Sequence, residues 1–526
     1  MNDQIKQGGF IMKRLFCIAL SMVMILSVFV ACGESEKEQA NSEIAGVFSV
    51  GYAKADITPT KPVPLAGYGD NAERISTGVL DPLYATCIAF SDAEGNTVLL
   101  FNLDMGQTPG DLLAAVRERI SEETGVPATH VHMGASHTHN AYDPSATALG
   151  GVSDANKQFV ERCVEAAKAA LADRKPAQMH GSFARPDGLN FVRHYILSDG
   201  TMCGFRLGQL PRDQIYGHIW KADNLLQVIK FTRDGGKDVV MINWQAHYYG
   251  TSDANYYSLS ADYIGAMRDE LEAQLDCHAA FVLGASGNLN CTSQIKTENH
   301  NKGYQEHGKM LAAAAIDSMD NMQPLETGTI HVLQNHFVVP ETTKTNELAA
   351  FGFGDFGIVL APWEIFDIHA RGVRDDSKYT YTFYASCAND SWGNHYLPHD
   401  AAFDYSCYEV STTYYPRGTA ELIQAELTEL INKCFDESGQ TQKARADGYT
   451  STPFVPVTDG KEYTNLSVGD MAGFPPTVPG FHSGYFSDGT SVKYVLIENE
   501  ELAKQICELA TVKFLFDDRG IVVGIA

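Results

Sequence analysis

Positive charge is scarce in this sequence. Its 526 residues carry 39 lysines and arginines against 65 aspartates and glutamates, a formal net charge of -26. Nucleic-acid binders draw their affinity from Lys and Arg that neutralise phosphates, so that class of partner is excluded. Paired cysteines are missing too. The 11 cysteines are scattered, and none forms Cys-x-x-Cys. Setting aside Cys17 and Cys32, in and after the N-terminal apolar run, leaves an odd number, so most are expected as lone buried thiols rather than a disulfide framework. There is no internal repeat and no His-Glu-x-x-His helix of the metalloprotease type. The apolar run at 15–31 stops just short of the ~18 to 20 residues that a membrane span needs.

That run has another meaning. Met12-Lys13-Arg14 gives it a basic start, and Phe29-Val30-Ala31 leads into Cys32. A basic start, an apolar stretch and a small residue before the cleavage point make a secretory signal. The Cys directly after it resembles a bacterial lipobox, with Phe29 where Leu is usual. Residues 1–32 are therefore expected to be a lipoprotein signal, and 33–46 a charged, flexible tether. This implies an extracytoplasmic protein held to the bacterial membrane through a lipid anchor. The remainder has room for roughly two to three domains. At 44% apolar and 20% charged residues it has an ordinary globular composition.

Periodicity predicts an α/β fold. Strands are expected at 47–57, 85–90, 97–103, 131–135, 178–184, 226–231, 239–244, 279–283, 328–339 and 379–386. Helices are expected at 109–123, 156–171, 258–271, 304–319, 365–371 and 419–434. Together they describe a mixed β-sheet core with flanking helices over 47–436. A polar linker at 437–448 and a small, mostly-β module at 449–526 would follow.

Histidines mark the ends of two apolar strands. Gly134-Ala135-Ser136-His137-Thr138-His139 follows the strand at 131–135. In extended backbone, residues two apart share a face, so both imidazoles could grip one metal or divide ligand and acid/base duties. His247 ends the strand at 239–244 in the same manner, and Glu364 lies between a strand and a helix. Three histidines and a carboxylate after apolar elements suit a catalytic zinc, which takes three protein ligands and leaves one position open. Leu65-Ala66-Gly67-Tyr68-Gly69 is a glycine-bearing loop where backbone N–H groups can approach a ligand closely. Arg193 is a candidate for holding an oxyanion. Asp104 and Asp262 are candidates for orienting a histidine.

The sequence resembles the neutral, non-lysosomal ceramidases over residues 47–436. The pieces that carry the resemblance are Ala55-Asp56-Ile57-Thr58-Pro59, Ala66-Gly67-Tyr68, Ser136-His137-Thr138-His139, Asn243-Trp244-Gln245-Ala246-His247, Ser260-Ala261-Asp262, Pro362-Trp363-Glu364, and Tyr396 with Tyr408-Glu409. The resemblance implies a zinc held by His137, His247, Glu364 and Tyr396. It puts His139, Arg193 and Tyr408 at the reacting amide, with Gly67 and Asn290 at the substrate. The sequence departs from the family at Gly287-Asn288-Leu289-Asn290-Cys291, where a Gly-Asp-x-Ser-Pro segment is usual. Asn290 is no nucleophile, so the implied chemistry is hydrolysis of an N-acyl, ceramide-like amide by a zinc-activated water. Residues 449–526 are shorter than, and unlike, the family's immunoglobulin-like domain. Two rival readings are a metal-dependent phosphoesterase, on Gly393-Asn394-His395 and Asp276-Cys277-His278, and a non-catalytic lipoprotein that binds a lipid or glycan.

Overall fold

The structure is a computed structural model. It describes residues 46–450, apart from 69–72, 148–150, 198–201, 205–211, 220, 296–297, 299–301, 392 and 406, and five short strands between 471 and 525. The expected signal (1–32) and all of the expected tether (33–46) but Gly46 lie outside the described residues, as does most of the expected C-terminal module.

The principal sheet contains β1 (Ser49–Asp56), β2 (Tyr84–Ser91), β3 (Thr97–Leu103), β4 (Val131–Ala135), β5 (Lys175–Ala184), β6 (Leu226–Arg233), β7 (Val239–Trp244) and β8 (His278–Leu283). Their order is β8-β7-β6-β5-β1-β2-β3-β4, with Gln323–Leu325 added beside β5. The centre is antiparallel, whereas β3/β4 at one end and β7/β8 at the other are parallel. Parallel neighbours need a crossover. Helix α1 (Gly110–Thr124) supplies it between β3 and β4, and a helix at Asp262–Leu275 supplies it between β7 and β8. The histidine segments follow β4 and β7, at the carboxyl ends where open α/β sheets place their ligands.

A second sheet contains β9 (His331–Val338), β10 (Thr345–Phe353), β11 (Phe356–Leu360) and β12 (Tyr381–Ala385), in that order. The two sheets pack face to face. Val50, Ile88, Phe90 and Leu100 of the first meet Phe351, Phe353, Ile358 and Phe383 of the second in one buried cluster. The opposite face of the first sheet is covered by helices. Cys87, Ala89, Leu99 and Phe101 pack on α1 and α2 (Val152–Ala172). Val240, Ile242 and Phe281 pack on α3 (Asp262–Leu275) and α4 (Tyr304–Ser318). The far face of the second sheet, through Leu348, Ala350 and Val359, packs on α6 (Thr419–Glu437), which follows α5 (Asp367–Asp376) in the chain. The architecture is therefore helix, sheet, sheet, helix. Period-two alternation along β1, β2 and β3 sends successive side chains to the two different cores. Each fully buried Leu, Ile or Phe contributes about 1.5–3 kcal/mol.

Three expectations need correction. The helix expected from 258 begins at Asp262. Ser258–Leu259 instead pairs with Gly78–Val79, and the Ser260 hydroxyl accepts the Asp262 N–H at 3.0 Å. Strand β10 was not foreseen: Asn346, Glu347, Ala349, Ala350 and Gly352 are residue types of low strand propensity, and only the sheet makes them a strand. The stretch at 437–448 is fastened to the main body. Lys443 pairs with Asp355 at 2.8 Å, and Arg445 donates to the carbonyls of Tyr379 and Ser377. Tyr449 is buried between the sheets, where its hydroxyl donates to Gln227 Oε1 at 2.5 Å and accepts the Thr382 N–H at 2.8 Å. All eight cysteines among the described residues are free thiols, and seven are buried. No described helix is long and apolar enough to cross a membrane.

Candidate metal centre

The chain leaves β4 with a kink. His137 has φ of +61°, a left-handed conformation that is uncommon away from glycine. The expectation that extended backbone aligns His137 with His139 is therefore corrected: the turn at His137 brings the rings together. Their Nε2 atoms lie 3.4 Å apart. The His137 Nδ1–H donates to Gly106 O at 2.9 Å, which leaves Nε2 facing inward.

The segment after β7 brings in His247. Its Nδ1–H donates to Ser286 O at 2.5 Å, on the loop that follows β8. Its Nε2 also faces inward, 3.3 Å from the Tyr396 hydroxyl. A two-residue parallel ribbon, Glu364–Ile365 beside Tyr396–Leu397, delivers the remaining groups, with Glu364 directly opposite Tyr396. Glu364 Oε2 lies 3.2 Å from His137 Nε2 and 3.0 Å from His247 Nε2. That oxygen is buried and has no hydrogen-bond partner of acceptable geometry. His137, His247 and Glu364 form one of three groups among the described residues able to hold a metal ion.

These donors fit zinc. Each of the two histidines has its ring fixed by a bond from Nδ1 to a backbone carbonyl, the outer-sphere support that orients metal-bound imidazoles. Two imidazoles, a carboxylate and a phenol within reach are zinc-type ligands. The electrostatics agree. Burial opposes charge on His137, but the Glu364 carboxylate and Cys387 outweigh it and hold the imidazole well above its ordinary pKa. Burial would raise Glu364, yet His137 and His247 keep it well below the usual carboxylate range. Positive charge is thus favoured at the point where these atoms converge.

A cavity of about 330 Å³ opens onto the cluster. Gly67, Gln107, His137, His139, Glu364, His395, Tyr396 and Tyr408 are among the residues lining it. His139 stands beside the cluster. Burial, with His137 and His247 nearby, keeps its imidazole neutral by lowering its pKa far below normal. Its ring stacks on Tyr248 at 3.8 Å between centroids. Gly67 also lies against His139. With φ of +109°, it is also so close that a Cβ there would sit 2.3 Å from His139 Cγ. Gly67 is thus both a cavity wall and the reason the ring fits.

Other expected residues lie elsewhere. Arg193 is buried and is not among the residues lining the cavity. It pairs with Glu409 at 2.5 Å, donates to Gly287 O at 2.8 Å, and lies 5.4 Å over the Tyr396 ring. Asn290 is likewise not a lining residue. On a two-residue strand opposite Phe191, it turns its Oδ1 toward Arg193 Nη1, at 3.4 Å. Asp104 pairs with Arg268 at 2.6 Å rather than with a histidine. Asp262 accepts the N–H groups of Tyr249 and Gly250, which fixes the loop that carries Tyr248. The altered loop has its own logic. Asn288 exchanges two hydrogen bonds with Asp367, at 2.7 and 2.8 Å, where a second carboxylate would repel. Gly287 lets the loop pass the ribbon, since a Cβ would meet Glu364 O at 2.5 Å. Sequence reasoning missed Gly106, Gln107 and Tyr248. The first two follow a strand end and Tyr248 follows His247, so position relative to β3 and β7 was the available signal.

No protein-family model and no curated protein matches the chain. Solved structures do. The neutral ceramidase from Pseudomonas aeruginosa is similar at a TM-score of 0.58 and 17% identity, covering 81% of each chain. A ceramidase structure described as complexed with C2 matches at a TM-score of 0.58 and 15% identity, covering 85% of this chain and 91% of the other. The chain has a neutral ceramidase-like fold, in a divergent sequence.

Proposed function

We propose that the protein is a zinc-dependent hydrolase of N-acyl, ceramide-like amides. The observation that carries this reading is the convergence of His137 Nε2, His247 Nε2 and the Tyr396 hydroxyl around the Glu364 carboxylate, at the wall of a cavity that His139 also faces. His137, His247, Glu364 and Tyr396 would hold the metal, which would supply Lewis-acid polarisation and a lowered pKa for water.

The other residues handle protons and orientation. His139, neutral and beside the cluster, accepts a proton at Nε2 as water adds to the amide carbon and returns it to the leaving nitrogen. Tyr408 lines the cavity with a hydroxyl suited to the tetrahedral oxyanion, and one such donor contributes about 3 kcal/mol. Arg193 acts through Tyr396, whose ring lies beneath its guanidinium, and Glu409 and Gly287 hold it there. Lipoprotein modification at Cys32 would put this chemistry at a bacterial membrane surface, where lipid-like amides reside. In cells, Cys32→Ala should then shift the protein from the membrane to the soluble fraction.

The activity test is zinc content together with turnover of an N-acyl lipid panel by the wild type and by His137→Ala. The expected result is loss of turnover and of one zinc equivalent in the variant. Unchanged turnover in a folded variant would refute the assignment.

A further inference from the structure

A second cluster of the same composition lies further along the ribbon strands. His369 is in the first turn of α5, His399 precedes the turn at Asp400–Asp404, and Glu421 is in the first turn of α6. All three are more than nine-tenths buried, at 1%, 3% and 5% exposure. Their ligand atoms lie within 4.8 Å of one another. Glu421 Oε1 is 2.8 Å from His399 Nδ1 and 3.8 Å from His369 Nε2.

Two buried polar atoms here have no hydrogen-bond partner: His369 Nε2 and Glu421 Oε2. Buried polar atoms left unsatisfied are costly, which makes them informative. The other polar atom of each side chain is engaged. His369 Nδ1 donates to Gln424 Oε1 at 2.9 Å, which turns an unprotonated Nε2 toward Glu421. Glu421 Oε1 accepts the Asp400 N–H at 2.9 Å. A fixed imidazole with its lone pair aimed at a carboxylate is the arrangement that outer-sphere bonds create around a bound metal.

We propose that His369, His399 and Glu421 bind a second divalent transition-metal cation of the zinc class, independent of the catalytic reading. Imidazole and carboxylate donors suit zinc, and the burial of all three suits a structural ion. Its position gives it a purpose. Glu364 and Tyr396 face each other on the ribbon, and His369 and His399 lie five and three residues further along the chain, past the ends of the two strands. The cation joins these continuations to α6 and so holds the ribbon in register.

The test is zinc content of the full-length protein after equilibration with zinc chloride and removal of unbound metal. In a His137→Ala/His247→Ala double variant, which leaves the second cluster intact, about one zinc equivalent should remain. Glu421→Gln, isosteric and folded by circular dichroism, should lose one equivalent relative to wild type. No zinc in the double variant overturns the proposal, as does a folded Glu421→Gln protein with wild-type content. Should Glu421→Gln fail to fold, the double variant decides alone.

Discussion

The two His–His–Glu clusters meet in one chain segment, which carries Glu364 of the first and His369 of the second, yet their surroundings differ. The cluster of His137, His247 and Glu364 faces a cavity, with His139, Tyr396 and Tyr408 at its edge. That of His369, His399 and Glu421 is enclosed by Gln424, the Asp400 backbone and the two helices that carry it. On the proposed readings, equal donor sets would serve different ends, because access to a fourth position separates a catalytic ion from a structural one. A third group, His194, Cys407 and Glu409, is the control. There Arg193 already neutralises the carboxylate at 2.5 Å, so no cation is required.

The comparison can be broken by substitution. His137→Ala should lower kcat/KM on an N-acyl amide by about 10³-fold or more, the several kcal/mol that a catalytic ion supplies. Chemical denaturation should show stability little changed. In the control group the effect falls on stability. Arg193 and His194 hold Glu409 at about 2, against the burial that would raise it. A depressed carboxylate stabilises the fold above its unfolded pKa of about 4.3, and that stability is lost as pH falls toward 2. Glu409→Gln should remove about 3 kcal/mol of stability at neutral pH and flatten the acid limb of a stability–pH curve. Its zinc content should match the wild type.

Gly67→Ala tests the catalytic side without touching a ligand. The added Cβ must displace His139, and a misplacement of about 1 Å costs on the order of 10²-fold in kcat. Zinc content should be retained, and a variant with wild-type kcat would show that His139 has no need of its place. Glu421→Gln should have the smallest effect on turnover, about 10-fold, through a loosened ribbon. A melting temperature that no longer responds to added zinc at the second cluster should accompany it.

Much of the His137–His247–Glu364 cluster was legible before folding. Ser136-His137-Thr138-His139 is compact, and His247 ends an apolar strand, so both stand out from their surroundings. The second cluster gave no such signal. Its members lie 30 and 22 residues apart, on helix starts and a turn, and only the fold brings them together. Strand periodicity was readable in β1 to β3, whose two faces meet different cores. It failed at β10, where Asn346, Glu347, Ala349, Ala350 and Gly352 are residue types of low strand propensity. The resemblance carried Asn290 and Arg193 to the substrate. A two-residue pairing and the Glu409 ion pair, neither visible in spacing, bring the two side chains together, with Arg193 over the Tyr396 ring.

The most direct measurement is product release. Purified wild-type protein, loaded with zinc, is incubated with ceramide and a panel of other N-acyl amides, and both products are quantified by mass spectrometry. Fatty acid and free amine should appear in equal amounts from at least one substrate, and neither should form with His137→Ala. A folded, zinc-loaded wild-type protein that releases neither product from any member of the panel would contradict an amide hydrolase at this centre.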